Sequence, residues 1–180
     1  MKDKWIKAGS TAGFLGSIVF IFLTLFAAYN YPGYSIFINY LSDLGVGNNI
    51  FFNLGCIISG LSILLLANAL YRKFPERIGK LGAVIFLLSG IFLIGVGVFT
   101  ENSGLIHLLC AVIFFALAAV AIILLGIIMG RENKKMYFLS VIVVLCIAAF
   151  LPLGLTPLIE HIAVAAIILW TLCISYFIRK

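Results

Sequence analysis

Long apolar runs alternate with short polar breaks along this chain, and each run is about as long as a bilayer is thick. Runs over about 8–29, 50–71, 81–99, 105–129, 136–154 and 157–178 each supply the ~20 apolar residues that a membrane-spanning helix needs. The pattern predicts an all-α integral membrane protein, a six-helix transmembrane bundle forming a single domain over residues 1–180. Two breaks, RKFPERIGK and GRENKKM, are short and charged. Two others are tighter: TENSG between spans 3 and 4, and a bend near Leu155 and Thr156 between spans 5 and 6. There Pro157 suits the first helical position. The first break is longer, NYPGYSIFINYLSDLGVGNN, and is not a plain polar loop. Tyr34, Phe37, Ile38, Leu41 and Leu44 recur at helical spacing, whereas Asn39, Ser42 and Asp43 share another face. Pro32 and Gly33 open the segment, and Gly45 suits a left-handed end. The spacing predicts a short interfacial or re-entrant helix over Tyr34–Leu44 that packs on the bundle end and aims its polar face inward.

Charge then fixes an orientation. All twelve basic residues fall in alternate breaks or at the termini: Lys2, Lys4 and Lys7; Arg72, Lys73, Arg77 and Lys80; Arg131, Lys134 and Lys135; Arg179 and Lys180. The positive-inside rule predicts that these, and both termini, are cytoplasmic in a multi-pass cell-membrane protein. The opposite side carries Asp43, Glu101 and Glu160, with both histidines, His107 and His161, just inside the adjoining helices. A hydrophobic content of 64% and a mean hydropathy of +1.27 exclude a soluble domain. The net charge of +6 reads as a topology signal and an attraction to anionic headgroups, and no nucleic-acid motif accompanies it. The apolar run after MKDKWIK is too long for a signal-peptide core and reads as the first span.

Several residues have plain packing readings. Cys56, Cys110, Cys146 and Cys173 lie in spans without metal or disulfide spacing. The span glycines allow close helix crossings. Asn53 and Asn68 suit hydrogen bonds between helices, and Trp5, Tyr29, Tyr31, Tyr34, Trp170 and Tyr176 read as interfacial belt residues. LIHLLCAVIFF and IEHIAVAAIIL form a weak internal echo with the histidines in register.

The chemistry concentrates at the acidic end. Each acid has an ordinary reading: Glu160 on its helix dipole, Glu101 solvated in a turn, Asp43 capping its short helix. None of these explains the missing cation. Acids packed there without Lys or Arg must be protonated, meet histidine or bind a metal. Asp43, His107 and His161 form a candidate ligand set for a divalent ion, zinc above all, although no HExxH-type spacing is present. Glu101, Glu160 and Ser42 are the candidate catalytic side chains, a leftover carboxylate acting as general base, and Asn39 is a further polar site residue.

The runs YPGYSIFINYLSDLG, FNLG, GVFTEN followed by His107, and the Glu160–His161 pair resemble DUF998, an uncharacterised family of six-helix prokaryotic membrane proteins. The resemblance covers nearly the whole chain and implies the fold, but no reaction. More loosely, the chain is similar to intramembrane metal hydrolases of the alkaline ceramidase and adiponectin-receptor superfamily, whose Ser, Asp and His side chains surround zinc. It departs from them in having six spans and no HxxxH pair.

Three functions follow as expectations. The first is a divalent-metal-dependent hydrolase or transferase acting on a lipid or lipid-linked substrate at the outer leaflet. The second is a b-type haem electron carrier ligated by His107 and His161. The third is a small proton-coupled transporter. Membrane lipid is the expected partner, with no nucleic acid and no protein partner.

Overall fold

A computed structural model describes residues 2–47, 49–150 and 156–179. Helices occur where the apolar runs predict them: α1 Lys2–Tyr29, α2 Phe51–Lys73, α3 Arg77–Val98, α4 Leu105–Glu132, α5 Lys134–Phe150 and α6 Pro157–Arg179. Five of the six are long and apolar enough to cross a membrane. The exception, α5, is described over 17 residues, and the expected end of its span at 154 lies outside the described residues. The bend expected at Leu155 lies there too. Helix α6 starts at Pro157 as the sequence predicts, and the Thr156 carbonyl accepts the amides of Ile159 and Glu160.

Each helix packs on its neighbours in sequence, and α1 also packs on α6, so the six form a closed up-and-down ring. The α2–α3 seam is set by Gly60 and Gly90. A Cβ at Gly60 would sit 2.7 Å from the Gly90 carbonyl oxygen, so the backbones meet where side chains would hold them apart. Because the helices alternate in direction, the described Lys and Arg residues gather at one end. Arg72 at the end of α2 lies 5.5 Å from the Trp5 ring centroid near the start of α1. The other end carries Asp43, Glu101, Glu160 and both histidines.

The two halves of the interior differ. Toward the basic end the ring is filled by Leu66, Leu70, Leu125, Met129, Trp170 and Ile174, all essentially inaccessible. Trp170 meets Phe86 edge-on at 5.6 Å and donates its indole N–H to Ser140 Oγ at 2.8 Å. It is therefore a core residue tying α6 to α3 and α5, not the belt residue its type suggests. Toward the acidic end the ring surrounds a partly open cavity. Outward, Phe22, Leu25, Leu61, Leu145 and Leu169 stand more than half exposed, the surface that hydrocarbon would cover.

Between α1 and α2 the expected helix over Tyr34–Leu44 is replaced by turns and one 3-10 turn, Ser42–Gly45. The reason is competition for amides. One helical turn begins, with Asn39 N–H on the Ser35 carbonyl at 2.8 Å. The next two amides are then taken by carboxylates: Tyr40 N–H by Asp43 at 2.9 Å and Leu41 N–H by Glu160 at 2.7 Å. Side-chain acceptors in place of the i−4 carbonyls stop the helix. The left-handed glycines of this segment are Gly33 and Gly47, and Gly45 is not one of them. The apolar stripe is divided: Leu41 and Leu44 are buried, while Phe37 and Ile38 are exposed.

Candidate functional site at the acidic end

The segment between α1 and α2 is a strap laid across the mouth of the ring. Three bonds from distant elements fasten it. Glu160 Oε2 on α6 accepts the Leu41 amide at 2.7 Å, Asn53 Nδ2 on α2 donates to the Gly45 carbonyl at 2.9 Å, and Tyr34 meets His161 at 2.6 Å. Asn53 thus holds the strap rather than another helix. Asn68 bonds Arg72 on its own helix.

Hydrogen bonding fixes the tautomer of each histidine. His161 Nδ1 lies 2.7 Å from the Pro157 carbonyl, which can only accept, so Nδ1 carries the proton. Nε2 is then the acceptor and the Tyr34 hydroxyl donates to it. Burial raises the Tyr34 pKa above the usual phenol value, helped by the negative charges of Glu160 and Asp43, so the phenol keeps that proton. His107 Nδ1–H likewise donates to the Phe99 carbonyl at 2.7 Å, so Nε2 is the nitrogen left for other partners. The imidazoles differ in what remains. His161 has both nitrogens engaged, whereas the 8% exposed His107 lines the cavity.

Glu101 sits in a 3-10 turn, Glu101–Ser103, between α3 and α4, closed by Gly104 at φ 57°. Its carboxyl faces Asp43, Ser42 and His107. Burial raises its pKa most, and Asp43 raises it further through a hydrogen bond and charge. His107 and Ser42 pull the other way. Two carboxyls in hydrogen-bonding contact share a proton more readily than they both ionise. Glu101 Oε2 is buried with no hydrogen-bond partner. The Asp43 carboxylate is better supplied, accepting from Asn39 Nδ2 at 3.2 Å as well as from the Tyr40 amide. Glu160 lies within electrostatic reach of both acids.

Beneath this cluster lies a cavity of ≈ 80 Å³. Leu41 and Ser42 of the strap form part of its roof, with His107 and Glu160 beside them. Its wall is apolar, including Phe20, Phe52, Phe114 and Val164, and hydroxyls of Ser59, Ser62 and Thr171 lie at its far end. Those three hydroxyls donate to helix carbonyls, so they ask for no polar ligand.

The sequence-predicted residues are therefore divided. Ser42, Asp43, Glu101 and His107 come together, Glu160 joins them at the roof, and Asn39 supports Asp43. His161 stands apart on Tyr34. Among the described residues no group of three or more His, Cys, Asp or Glu side chains is arranged to hold a metal ion. The expected ligands Asp43, His107 and His161 are thus not part of such a group. The two histidines also do not line one space, because His107 borders the cavity and His161 does not. Sequence reasoning missed the role of Tyr34, read as a belt aromatic and part of an apolar stripe, and the Leu41 amide, which has no side-chain signal at all.

Comparison with known proteins adds a family but no activity. No curated protein and no solved structure matches the chain. Residues 14–176 match the family described as "Protein of unknown function (DUF998)", and over that length the chain belongs to the DUF998 family.

Proposed function

We propose that this protein is a membrane enzyme, a hydrolase or transferase that acts by acid–base catalysis on the polar part of a lipid or lipid-linked substrate. The observation that carries the reading is the junction of an apolar cavity with Ser42, His107 and Glu160 at its roof. An apolar wall ending in a few convergent polar groups is the usual form of a site for an amphipathic molecule. The segregated Lys and Arg residues support a cytoplasmic basic end, which would put this roof at the outer leaflet of the cell membrane.

The roles follow from the hydrogen bonds. His107 Nε2, the nitrogen not bonded to Phe99, serves as the base that takes a proton from water or an acceptor hydroxyl as it attacks. The Asp43–Glu101 pair holds a proton at Glu101 for the leaving group. Ser42, in contact with Glu101, orients the attacked group. The donor set does not suit a divalent ion as it stands: His161 would have to give up Tyr34, and the Asp43 oxygen already accepts two hydrogen bonds. No step here uses an ion. Transport is less well supported, because the cavity ends above the filled basic half around Trp170 and Phe86.

The test is product analysis by mass spectrometry after incubating the protein in lipid nanodiscs with ester- and phosphate-linked lipids. Turnover is expected for the wild type and should fall at least ~100-fold in His107→Ala and Glu101→Gln, in line with loss of a general acid or base. Equal turnover in wild type and both variants, or none above a heat-inactivated control, overturns the reading.

A further inference from the structure

We infer that the cavity is a measuring slot for one hydrocarbon chain, with its length limit set by Ser59, Ser62 and Thr171. This rests on the lipid reading above and adds the substrate's shape. Depth comes from the helices. On α6 the lining runs from Glu160 at the roof to Thr171, and on α2 from Phe52 to Ile63, eleven residues in each case. At 1.5 Å per residue both walls are ~16 Å deep. That is close to half of a ~30 Å hydrocarbon core, the thickness of one leaflet.

Width comes from the volume. Spread over that depth, ≈ 80 Å³ open to the centres of water molecules gives a bore ~5 Å across once the ~1.4 Å radius of a water is added. Carbon atoms in contact lie ~3.5–4 Å apart, so this bore takes one chain and excludes two side by side. The occupant is thus a lipid that offers a single chain to the slot, with its polar part against Ser42, His107 and Glu160. The floor is closed by packed side chains. Leu66 and Ile174, each three residues beyond the last lining residues Ile63 and Thr171 on α2 and α6, are wholly buried. A chain longer than the slot must displace that core, and overpacking a core is penalised.

The experiment is a binding series in detergent, read by native mass spectrometry, with single-chain phosphocholines of ten to eighteen carbons. It is run on wild type, Ser59→Leu, Thr171→Leu and Ile174→Ala, each in the Glu101→Gln background so that turnover plays no part. Wild type should show an optimum length, with roughly tenfold weaker binding two carbons beyond it. Ser59→Leu and Thr171→Leu raise the floor and should move the optimum to shorter chains. Ile174→Ala opens space beyond Thr171 and should move it to longer ones, and it guards against misfolding of the bulkier variants. Binding that is indifferent to length, or an optimum that stays put in all three variants, overturns the inference. A shifting optimum without turnover in the active protein would instead sink the catalytic reading and leave the slot standing.

Discussion

Replacing Glu160 separates the carboxylate's structural work from its chemistry. In Glu160→Ala the Leu41 amide loses an acceptor at 2.7 Å, while Leu41 itself remains only 6% exposed. A hydrogen bond to a charged group contributes ~1.5–3 kcal/mol, and a buried donor left unmet costs a similar amount. At 1.4 kcal/mol per factor of ten, opening of the strap should become about 10- to 150-fold more frequent. Glu160→Gln keeps a carbonyl oxygen for that amide and should lose no more than ~1 kcal/mol, a change below about tenfold. The assay is hydrogen–deuterium exchange, by mass spectrometry, of peptides covering residues 34–47 in nanodiscs, with α2 peptides as the control for an intact bundle. Exchange in Glu160→Ala equal to wild type would refute the tether. Equal loosening in both variants would show that charge, and not the hydrogen bond, holds the strap.

Glu101 gives a pH prediction. Its folded pKa is raised, so the folded protein binds the extra proton; that contribution is complete below the ordinary value of 4.5 and is lost as pH rises through the higher folded value. Wild type should therefore unfold at lower temperature at pH 8 than at pH 4.5, and Glu101→Gln should flatten the slope; an unchanged slope would contradict the buried carboxyl pair. Trp170→Phe removes the indole donor to Ser140 and part of a fully buried ring, at a cost of ~1–3 kcal/mol. Its unfolding midpoint should fall, and an unshifted midpoint would deny that Trp170 ties α6 to α5.

The helices and the division into a basic and an acidic end are plain from the chain, because membrane spans need only length and hydropathy. The strap was legible as something more than a loop, but not as turns. Its pattern of Tyr34, Phe37, Ile38, Leu41 and Leu44 is helical, and what overrides it is a carboxylate 119 residues away that takes the Leu41 amide. No local pattern carries that information. The same limit applies to the histidines. Their register with the helix ends placed both near the acidic mouth, yet which nitrogen is free depends on Tyr34, Pro157 and Phe99, and only the tertiary arrangement brings those partners in. Asp43, Glu101, His107, Glu160 and Ser42 could be chosen from sequence because acids without cations are conspicuous in an apolar chain. The cavity beneath them has no sequence signature, since its wall is made of the same Phe, Val and Ile residues that face lipid elsewhere.

The most direct test of a lipid chain inside the ring is photo-crosslinking from the chain itself. A single-chain phosphocholine carrying a diazirine at its terminal carbon would be incorporated into nanodiscs with the protein and activated, and the adducts mapped by peptide sequencing. The account predicts adducts on the inward-facing residues around Ser59, Ser62 and Thr171, lost when Ala111→Phe blocks the cavity near His107. Adducts confined to the outward-facing side chains, such as Phe22, Leu25 and Leu169, would contradict it.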